Sequence, residues 1–145
     1  MTEYVVDASV VAKWHFPEQS AERAATLLDQ MTSGRARLSA PDLIICEFGN
    51  LVLRKVRIRE VAGEDGEMIF ADFLSAPLHF TPSPDLARAA FAVAQAVGCS
   101  FYDGLYVALA EISGAPLVTA DLKLLNQLAG TGLSEVAVAL DDVDS

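Results

Sequence analysis

The sequence predicts an α/β domain of three layers, in which a central, mainly parallel sheet lies between two layers of helices. Short runs of β-branched and aromatic residues alternate along the chain with longer segments whose apolar residues follow the helical period. Strands that alternate with helices form a parallel sheet that helices cover on both faces. The length of 145 residues and the 52% hydrophobic content suit one such domain over residues 1–145.

Each predicted strand is a short apolar run, and the first ends at Asp7. The strands are predicted at residues 4–6, 37–39, 78–81, 116–119 and 136–138. Their carboxyl ends would share one edge of the sheet, which is the edge where parallel sheets carry their functional sites.

Turn-forming and capping residues indicate where the helices begin and end. Helices are predicted at residues 8–16, 18–32, 41–58, 60–75, 83–97, 102–113 and 121–129. Pro17 stops the first helix, Gly34 follows the second, and Pro41 opens the third. Ser83 is predicted to cap the fifth helix, with Pro84 at its first helical position.

The composition excludes several classes of protein. The two cysteines, Cys46 and Cys99, are too few for a disulfide scaffold and are predicted to fill apolar space as free thiols. The chain shows neither the basic start and apolar run of a signal peptide nor a stretch of about 18 apolar residues that could span a membrane. A cytoplasmic protein that does not associate with membranes is therefore expected.

The charge is strongly negative and unevenly distributed. A net charge of −10 argues against a general nucleic-acid binder, which neutralises phosphates with Lys and Arg. Four of the ten basic residues nevertheless fall close together, at Arg54, Lys55, Arg57 and Arg59. The mean hydropathy of +0.35 is high for a small monomer and indicates an apolar surface that a partner covers.

Four carboxylates occupy positions that an ordinary surface acid does not. Asp7 and Asp121 follow predicted strands, Glu47 lies within an apolar stretch of helix, and Asp103 begins another apolar helix. Each has an ordinary alternative, which is a helix cap for Asp7 and Asp121 and a favourable helix dipole for Asp103. For Glu47 the alternative is an ion pair with Arg54, which lies with Asn50 on the same helical face.

Together the four carboxylates indicate a site for a hard cation. Two carboxylates about 5 Å apart repel by roughly 3 kcal/mol at an effective dielectric constant of 20. A cluster of four would not persist for stability alone unless a cation lay among them. All-oxygen ligands suit Mg²⁺ or Mn²⁺, and such ions serve the hydrolysis of phosphodiesters by activating water.

Four motifs carry a resemblance to a known family. They are Asp7-Ala8-Ser9 after a strand, Glu47-x-x-Asn50 on a helix, Tyr102-Asp103-Gly104-x-Tyr106 followed by Ala108-Leu109-Ala110, and Thr119-Ala120-Asp121. In this order and at this length the chain resembles PIN-domain ribonucleases, above all the VapC-type toxins of bacterial toxin–antitoxin pairs. Gly104 departs from the pattern, because Ala is more common there, and a slightly looser helix start is expected.

The resemblance implies a PIN-like fold and a Mg²⁺- or Mn²⁺-dependent endoribonuclease that cleaves RNA as the toxin of such a pair. It implies a homodimer neutralised by a VapB-like antitoxin protein. The residues that would bind the metal and carry catalysis are Asp7, Glu47, Asp103 and Asp121. Ser9 and Thr119 would orient carboxylates, Asn50 would support Glu47, and Arg54 is a candidate contact for RNA phosphate.

Three other functions remain open from the sequence. A phosphoryl-receiving regulatory domain would need an acidic pair after the first strand, where this chain has Val6-Asp7-Ala8, and it would not explain Glu47. A catalytically inactive PIN-fold binding module would not be stabilised by a metal. A nuclease that acts on DNA also stays open, because no residue in the sequence is visibly placed to contact the 2′-hydroxyl that distinguishes RNA from DNA.

Overall fold

A computed structural model describes residues 1–143, so Asp144 and Ser145 at the end of the predicted domain lie outside the described residues. The elements follow one another in strand–helix alternation. They are β1 Thr2–Val6, α1 Ala8–His15, α2 Ala21–Thr32, β2 Ala36–Pro41, α3 Leu43–Arg57, α4 Gly63–Ser75, β3 His79–Thr81, α5 Ser83–Val97, α6 Phe101–Ser113, β4 Leu117–Thr119, α7 Leu122–Leu128 and β5 Ala137–Ala139. A 3₁₀ turn, Leu140–Asp142, follows β5.

The five strands form one parallel sheet in the order β3-β2-β1-β4-β5. The central strand is β1, which pairs with β2 on one side and with β4 on the other. On the β4 side, Val6 lies opposite Val118, so both strands end at nearly the same level. The predicted fold class is confirmed, and the residues after β1 and β4 lie side by side.

Helices cover both faces of this sheet. Successive residues of a strand point to opposite faces. Val5 and Val6 are both fully buried, as are Leu117 and Val118, so neither face of the two central strands meets solvent. This is the three-layer arrangement that the unbroken apolar strands predict.

Two helical contacts hold the elements that carry the candidate site. Helix α3 packs on α4 through aromatic rings, and the ring centroids of Phe48 and Phe73 lie 4.6 Å apart. Helices α5 and α6 approach so closely that a Cβ added to Gly104 would lie 2.6 Å from the carbonyl oxygen of Ala90. Gly104 is therefore a close-packing glycine, whereas the expected looser start of α6 stays a prediction.

Helices α2 and α4 each begin three residues later than the sequence predicts. The second starts at Ala21 because Ser20 has a left-handed backbone, with φ of 64°, and the Lys13 Nζ donates to the carbonyl oxygen of Gln19 at 2.6 Å. The fourth starts at Gly63 because Arg59, with φ of 63°, ends α3 in a left-handed turn. The segments 18–20 and 60–62, predicted as helix, are connections.

The region around Pro41 also differs from the prediction. Pro41 ends β2 opposite Thr81, and the N–H of Asp42 donates to the Thr81 carbonyl at 2.8 Å. The backbone thus stays in the sheet until α3 begins at Leu43. Ser83 lies inside α5, after Pro82 as the capping position, and its hydroxyl donates to Asp42 Oδ1. The prediction that Ser83 caps the helix is wrong, because its side chain joins two strand ends instead.

Both cysteines are free thiols, Cys99 buried as predicted and Cys46 exposed, contrary to a packing role. Among residues 1–143, no helix combines the length and the apolar character needed to cross a bilayer.

Candidate active site

The candidate site lies at the carboxyl edge of the sheet, where β1 and β4 end next to each other. Asp7 follows β1 and Asp121 follows β4, each as the N-terminal cap of the next helix. Glu47 comes from α3, and Asp103 comes from the first turn of α6. Four separate elements therefore supply the four predicted carboxylates.

The carboxylate of Asp7 is the most constrained of the four. Its Oδ1 accepts hydrogen bonds from the N–H groups of Ser9 and Val10, at 3.1 and 3.3 Å, and from the Ser9 hydroxyl at 2.5 Å. Its Oδ2 accepts a hydrogen bond from the hydroxyl of Thr119, a residue with no solvent exposure. Asp7 is thus the helix cap that its position suggests and also a bridge from β1 to β4.

The two hydroxyls that contact Asp7 also hold the segment leading to Asp121. The Thr119 Oγ1 accepts from the N–H of Asp121 at 2.9 Å, and the Ser9 Oγ accepts from the N–H of Ala120 at 3.0 Å. Asp121 in turn caps α7 through Lys123 N at 3.0 Å. The predicted hydroxyls Ser9 and Thr119 therefore stand between the two strand-end carboxylates.

Glu47 has a partner other than the basic residue considered from the sequence. Its Oε1 accepts a 2.5 Å hydrogen bond from the hydroxyl of Tyr106, which is 3% exposed. Among residues 1–143, no ion pair joins Glu47 to Arg54. Arg54 and Asn50 are exposed, and the structure records no hydrogen bond from either side chain to the carboxylates within those residues.

Tyr106 stands in one of the four motifs, but the sequence analysis did not predict its hydrogen bond to Glu47. It lies three residues after Asp103, and residues three apart share one face of a helix. That spacing could have placed Tyr106 beside the site, although it gives no indication that the hydroxyl bonds to Glu47 on another helix.

The electrostatics show that the four carboxylates act on one another. Burial raises the pKa of Asp7, and the Asp121 charge raises it further. Burial likewise raises the pKa of Glu47, with added repulsion from Asp7 and Asp103, and the pKa of Asp103, with added repulsion from Asp121. The nearby Lys123 lowers the pKa of Asp103. Burial first, and repulsion between acids second, thus favour the protonated forms of Asp7, Glu47 and Asp103.

The donor set suits a hard divalent cation, because every candidate ligand is a carboxylate oxygen. Within residues 1–143, no three Asp, Glu, His or Cys side chains converge closely enough to enclose a metal as they are placed. The chemistry of the four side chains fits Mg²⁺ or Mn²⁺, and binding would need a convergence of carboxylates that now repel each other.

A second surface feature lies on the α3–α4 hairpin. An apolar groove of about 510 Å³ runs between the two helices, and its walls include Val52, Leu53, Val56, Phe70 and Leu74. Leu53 and Leu74 are both exposed there.

The model of the PIN domain family matches residues 4–130. Ribonuclease VapC3 from Pyrobaculum aerophilum is 33% identical to this chain over 125 residues, which are 83% of this chain and 90% of that protein.

Solved structures agree with the fold. The crystal structure of PAE2754 from Pyrobaculum aerophilum is 26% identical, with a TM-score of 0.71 over 97% of this chain and 92% of that one. VapBC2 from Rickettsia felis, bound to a DNA fragment from its promoter, has a TM-score of 0.63 at 12% identity, over 95% and 98% of the two chains. FitAcB from Neisseria gonorrhoeae has a TM-score of 0.63 at 14% identity, over 97% and 99%. At such identities these last two show the shared fold alone. The family match and the VapC relative together show that this chain belongs to the PIN domain family, as a VapC-type nuclease.

Proposed function

We propose that this chain is a Mg²⁺- or Mn²⁺-dependent endoribonuclease that acts as the toxin of a toxin–antitoxin pair. The observation that carries the proposal is the group of four carboxylates at the carboxyl edge of the sheet, where burial and repulsion from neighbouring acids raise the pKa values of Asp7, Glu47 and Asp103. Such a cluster, buried at Asp7 and partly buried at the other three positions, is costly unless it binds a cation. The ribonuclease relative supports RNA as the substrate.

In this proposal Asp7, Glu47 and Asp103 hold the principal metal, and Asp121 completes that site or a second one. A bound divalent cation lowers the pKa of its water and offsets charge on the attacking and leaving oxygens of the phosphodiester. The hydroxyls of Ser9 and Thr119 donate hydrogen bonds to the Asp7 carboxylate and so fix its orientation where β1 and β4 end side by side. A ligand held by such neighbouring groups loses little freedom when the cation binds.

The role proposed for Arg54 and Asn50 is contact with RNA beside the carboxylates. Both lie on α3 with Glu47, and Arg54 opens the run of basic residues at the end of that helix. A net charge of −10 makes the body of the protein repel RNA, so binding depends on such local cations and on the shape of the target.

The proposed partners are a second copy of this chain and a VapB-like antitoxin. Solved toxin–antitoxin complexes share the fold. The apolar groove between α3 and α4 gives an antitoxin segment a surface to cover, and it lies on the helix that carries Glu47. One nuclease domain over residues 1–145 and a cytoplasmic location stay predictions from the sequence.

The test is RNA cleavage by the purified chain, free of antitoxin, with Mn²⁺ or Mg²⁺ and with chelator. Asp103→Asn should abolish cleavage and leave the fold intact. Asp85→Asn is the matched control, because Asp85 is also an acid in the first turn of a helix and is exposed. If Asp103→Asn cleaves as well as the wild type, the assignment of the site is wrong.

The second candidate function is a PIN-fold binding module without catalysis, which the unconverged carboxylates favour. It predicts no cleavage and no change of melting temperature with Mn²⁺. Cleavage that requires metal would eliminate it, whereas stabilisation by Mn²⁺ without cleavage would indicate a nuclease whose substrate was not in the assay.

A further inference from the structure

Among the contacts of the site, the hydrogen bond between Tyr106 and Glu47 has no explanation in the function proposed so far. We propose that Tyr106 is a positioning residue, which holds the Glu47 carboxylate on the side of Asp7 and Asp103, where the metal would bind, and so increases metal affinity without contacting metal or RNA. The inference rests on the proposed function, because it assigns a role toward the proposed metal.

The location of Tyr106 fixes where its hydroxyl can reach. Its ring is buried in the core that α6 forms with the sheet, and the side chain is 3% exposed. A packed aromatic ring with two rotatable bonds places its hydroxyl at a definite point, unlike a long flexible side chain. That point is 2.5 Å from Glu47 Oε1, on a helix 59 residues away in the sequence.

The hydroxyl is a permanent donor. A tyrosine hydroxyl keeps its proton at neutral pH, because the pKa of a phenol is about 10. The charged form of Glu47 therefore has a donor at Oε1 under the conditions of the assay. The hydrogen bond uses one lone pair of Oε1 and leaves both lone pairs of Oε2 for a cation.

The contact also couples two ligands. Tyr106 and Asp103 lie one helical turn apart on α6, while Glu47 belongs to α3. The Tyr106 hydroxyl belongs to the helix that carries Asp103 and bonds to the carboxylate of Glu47, so this contact sets the distance between the Asp103 and Glu47 side chains. Without it, Glu47 would turn toward solvent, away from the repulsion of Asp7 and Asp103.

A purely structural contact makes different predictions. Loss of the hydroxyl would then lower the stability of the protein and leave the metal affinity of the folded protein unchanged. A positioning role lowers the affinity for metal, and loss of a group that orients a ligand costs about 10- to 100-fold in affinity or activity.

The experiment is a titration of the full chain with Mn²⁺, followed by the electron paramagnetic resonance signal of free Mn²⁺. Tyr106→Phe keeps the ring and removes only the hydroxyl, and its fold is checked by circular dichroism. Tyr102→Phe is the matched control, since it removes a hydroxyl four residues earlier on the same helix from a side chain that is 61% exposed. We expect Tyr106→Phe to bind Mn²⁺ about 10-fold or more weakly, and Tyr102→Phe to bind as the wild type does.

Glu47→Gln supplies a second comparison, because an amide oxygen still accepts the Tyr106 hydrogen bond but offers no charge to the metal. In that background, adding Tyr106→Phe should change Mn²⁺ affinity by less than about twofold, since the hydroxyl acts through the Glu47 carboxylate. An equal loss of affinity in both backgrounds would show that Tyr106 acts independently of Glu47, and it would overturn the inference.

Cleavage of an unstructured RNA oligonucleotide at subsaturating Mn²⁺ gives a further readout. A lower kcat with an unchanged KM for RNA supports positioning of the metal site, whereas a change confined to KM overturns it. If the wild type binds Mn²⁺ and Tyr106→Phe binds it equally well, the positioning role fails and the proposed function stands. If the wild type binds no Mn²⁺, the proposed function fails first and the inference with it.

Discussion

Asp7 combines a structural role and a proposed metal-binding role, and two substitutions separate them. Asn retains a side-chain oxygen that can accept from the N–H groups of Ser9 and Val10, and its NH2 group can donate to the Thr119 oxygen. The hydroxyl proton of Thr119 loses its Asp7 acceptor in both variants, so that loss does not distinguish them. Ala removes every one of these contacts. Both substitutions remove the charge, so any relief of repulsion in the cluster is common to the two and cancels when they are compared.

The magnitude follows from the contacts that Ala loses and Asn keeps. Loss of a side-chain cap costs about 1 kcal/mol. The hydrogen bond that the Asn amide donates to the Thr119 oxygen contributes about 0.5–1.5 kcal/mol, and Ala does not make it. Asp7→Ala should therefore be about 1.5–2.5 kcal/mol less stable than Asp7→Asn, which corresponds to a melting temperature about 4–10 °C lower.

The assay is urea unfolding with chelator present, so that metal binding does not contribute to the free energy of unfolding. RNA cleavage with Mn²⁺ is measured on the same proteins. We expect both variants to lose cleavage and only Asp7→Ala to lose stability. Equal stability of the two variants would refute the argument that the Asp7 contacts hold β1 and β4 together. Cleavage by Asp7→Asn at the wild-type rate would refute its role as a metal ligand.

Three further outcomes are expected. Gly104→Ala should destabilise the protein by about 1–3 kcal/mol in the same urea assay, because the new Cβ would clash with the Ala90 carbonyl oxygen. The control Gly63→Ala should be neutral or slightly stabilising, because a Cβ at Gly63 has no neighbour within 4 Å. Without metal, stability should rise as the pH falls from about 7.5 to about 5, because the raised pKa values of Asp7, Glu47 and Asp103 make the folded chain bind protons before the unfolded chain does, and these three groups outweigh the opposite effect of the lowered pKa of His15. Urea midpoints that fall as the pH falls over this range would contradict it. Added Mn²⁺ at 100 times its dissociation constant should stabilise the wild type by about 2.7 kcal/mol. The measurement is the melting temperature, which should rise with Mn²⁺ and return with chelator, and an unchanged melting temperature would contradict the metal site.

The sequence predicts the elements of the fold well because each carries a local signal. Asp7 could be placed at the edge of the sheet because a buried apolar run ends there, and Gly98 and Gly114 end helices in the left-handed conformation that glycine adopts without strain. The predicted boundaries of an element are wrong where a contact with a residue distant in the sequence determines where that element begins or ends. Pro41 remains in the sheet because it lies opposite Thr81, a pairing that the local sequence does not reveal.

The candidate site divides in the same way. The four carboxylates could be named because an acid within an apolar helix, or after a buried strand, is locally anomalous. The role of the Tyr106 hydroxyl and the packing of Gly104 could not, because both depend on the distance between two helices. The ion pair between Glu47 and Arg54 is a local alternative that the structure does not form within residues 1–143, and Glu47 accepts a hydrogen bond from Tyr106 instead.

The central place of β1 in the sheet governs how this protein must fold. The strand that is synthesised first obtains its β4 neighbour only after most of the chain has followed, and the hydrogen bond from Thr119 to Asp7 closes a loop of 112 residues. Long-range pairings of this kind form slowly, because the entropy of closing the loop is lost before the contact is gained. Until β4 arrives, β1 has an unpaired edge that invites association with other chains. A chain truncated before β4 would therefore be prone to aggregate, and it would also lack Asp121 and the Thr119 contact that holds Asp7.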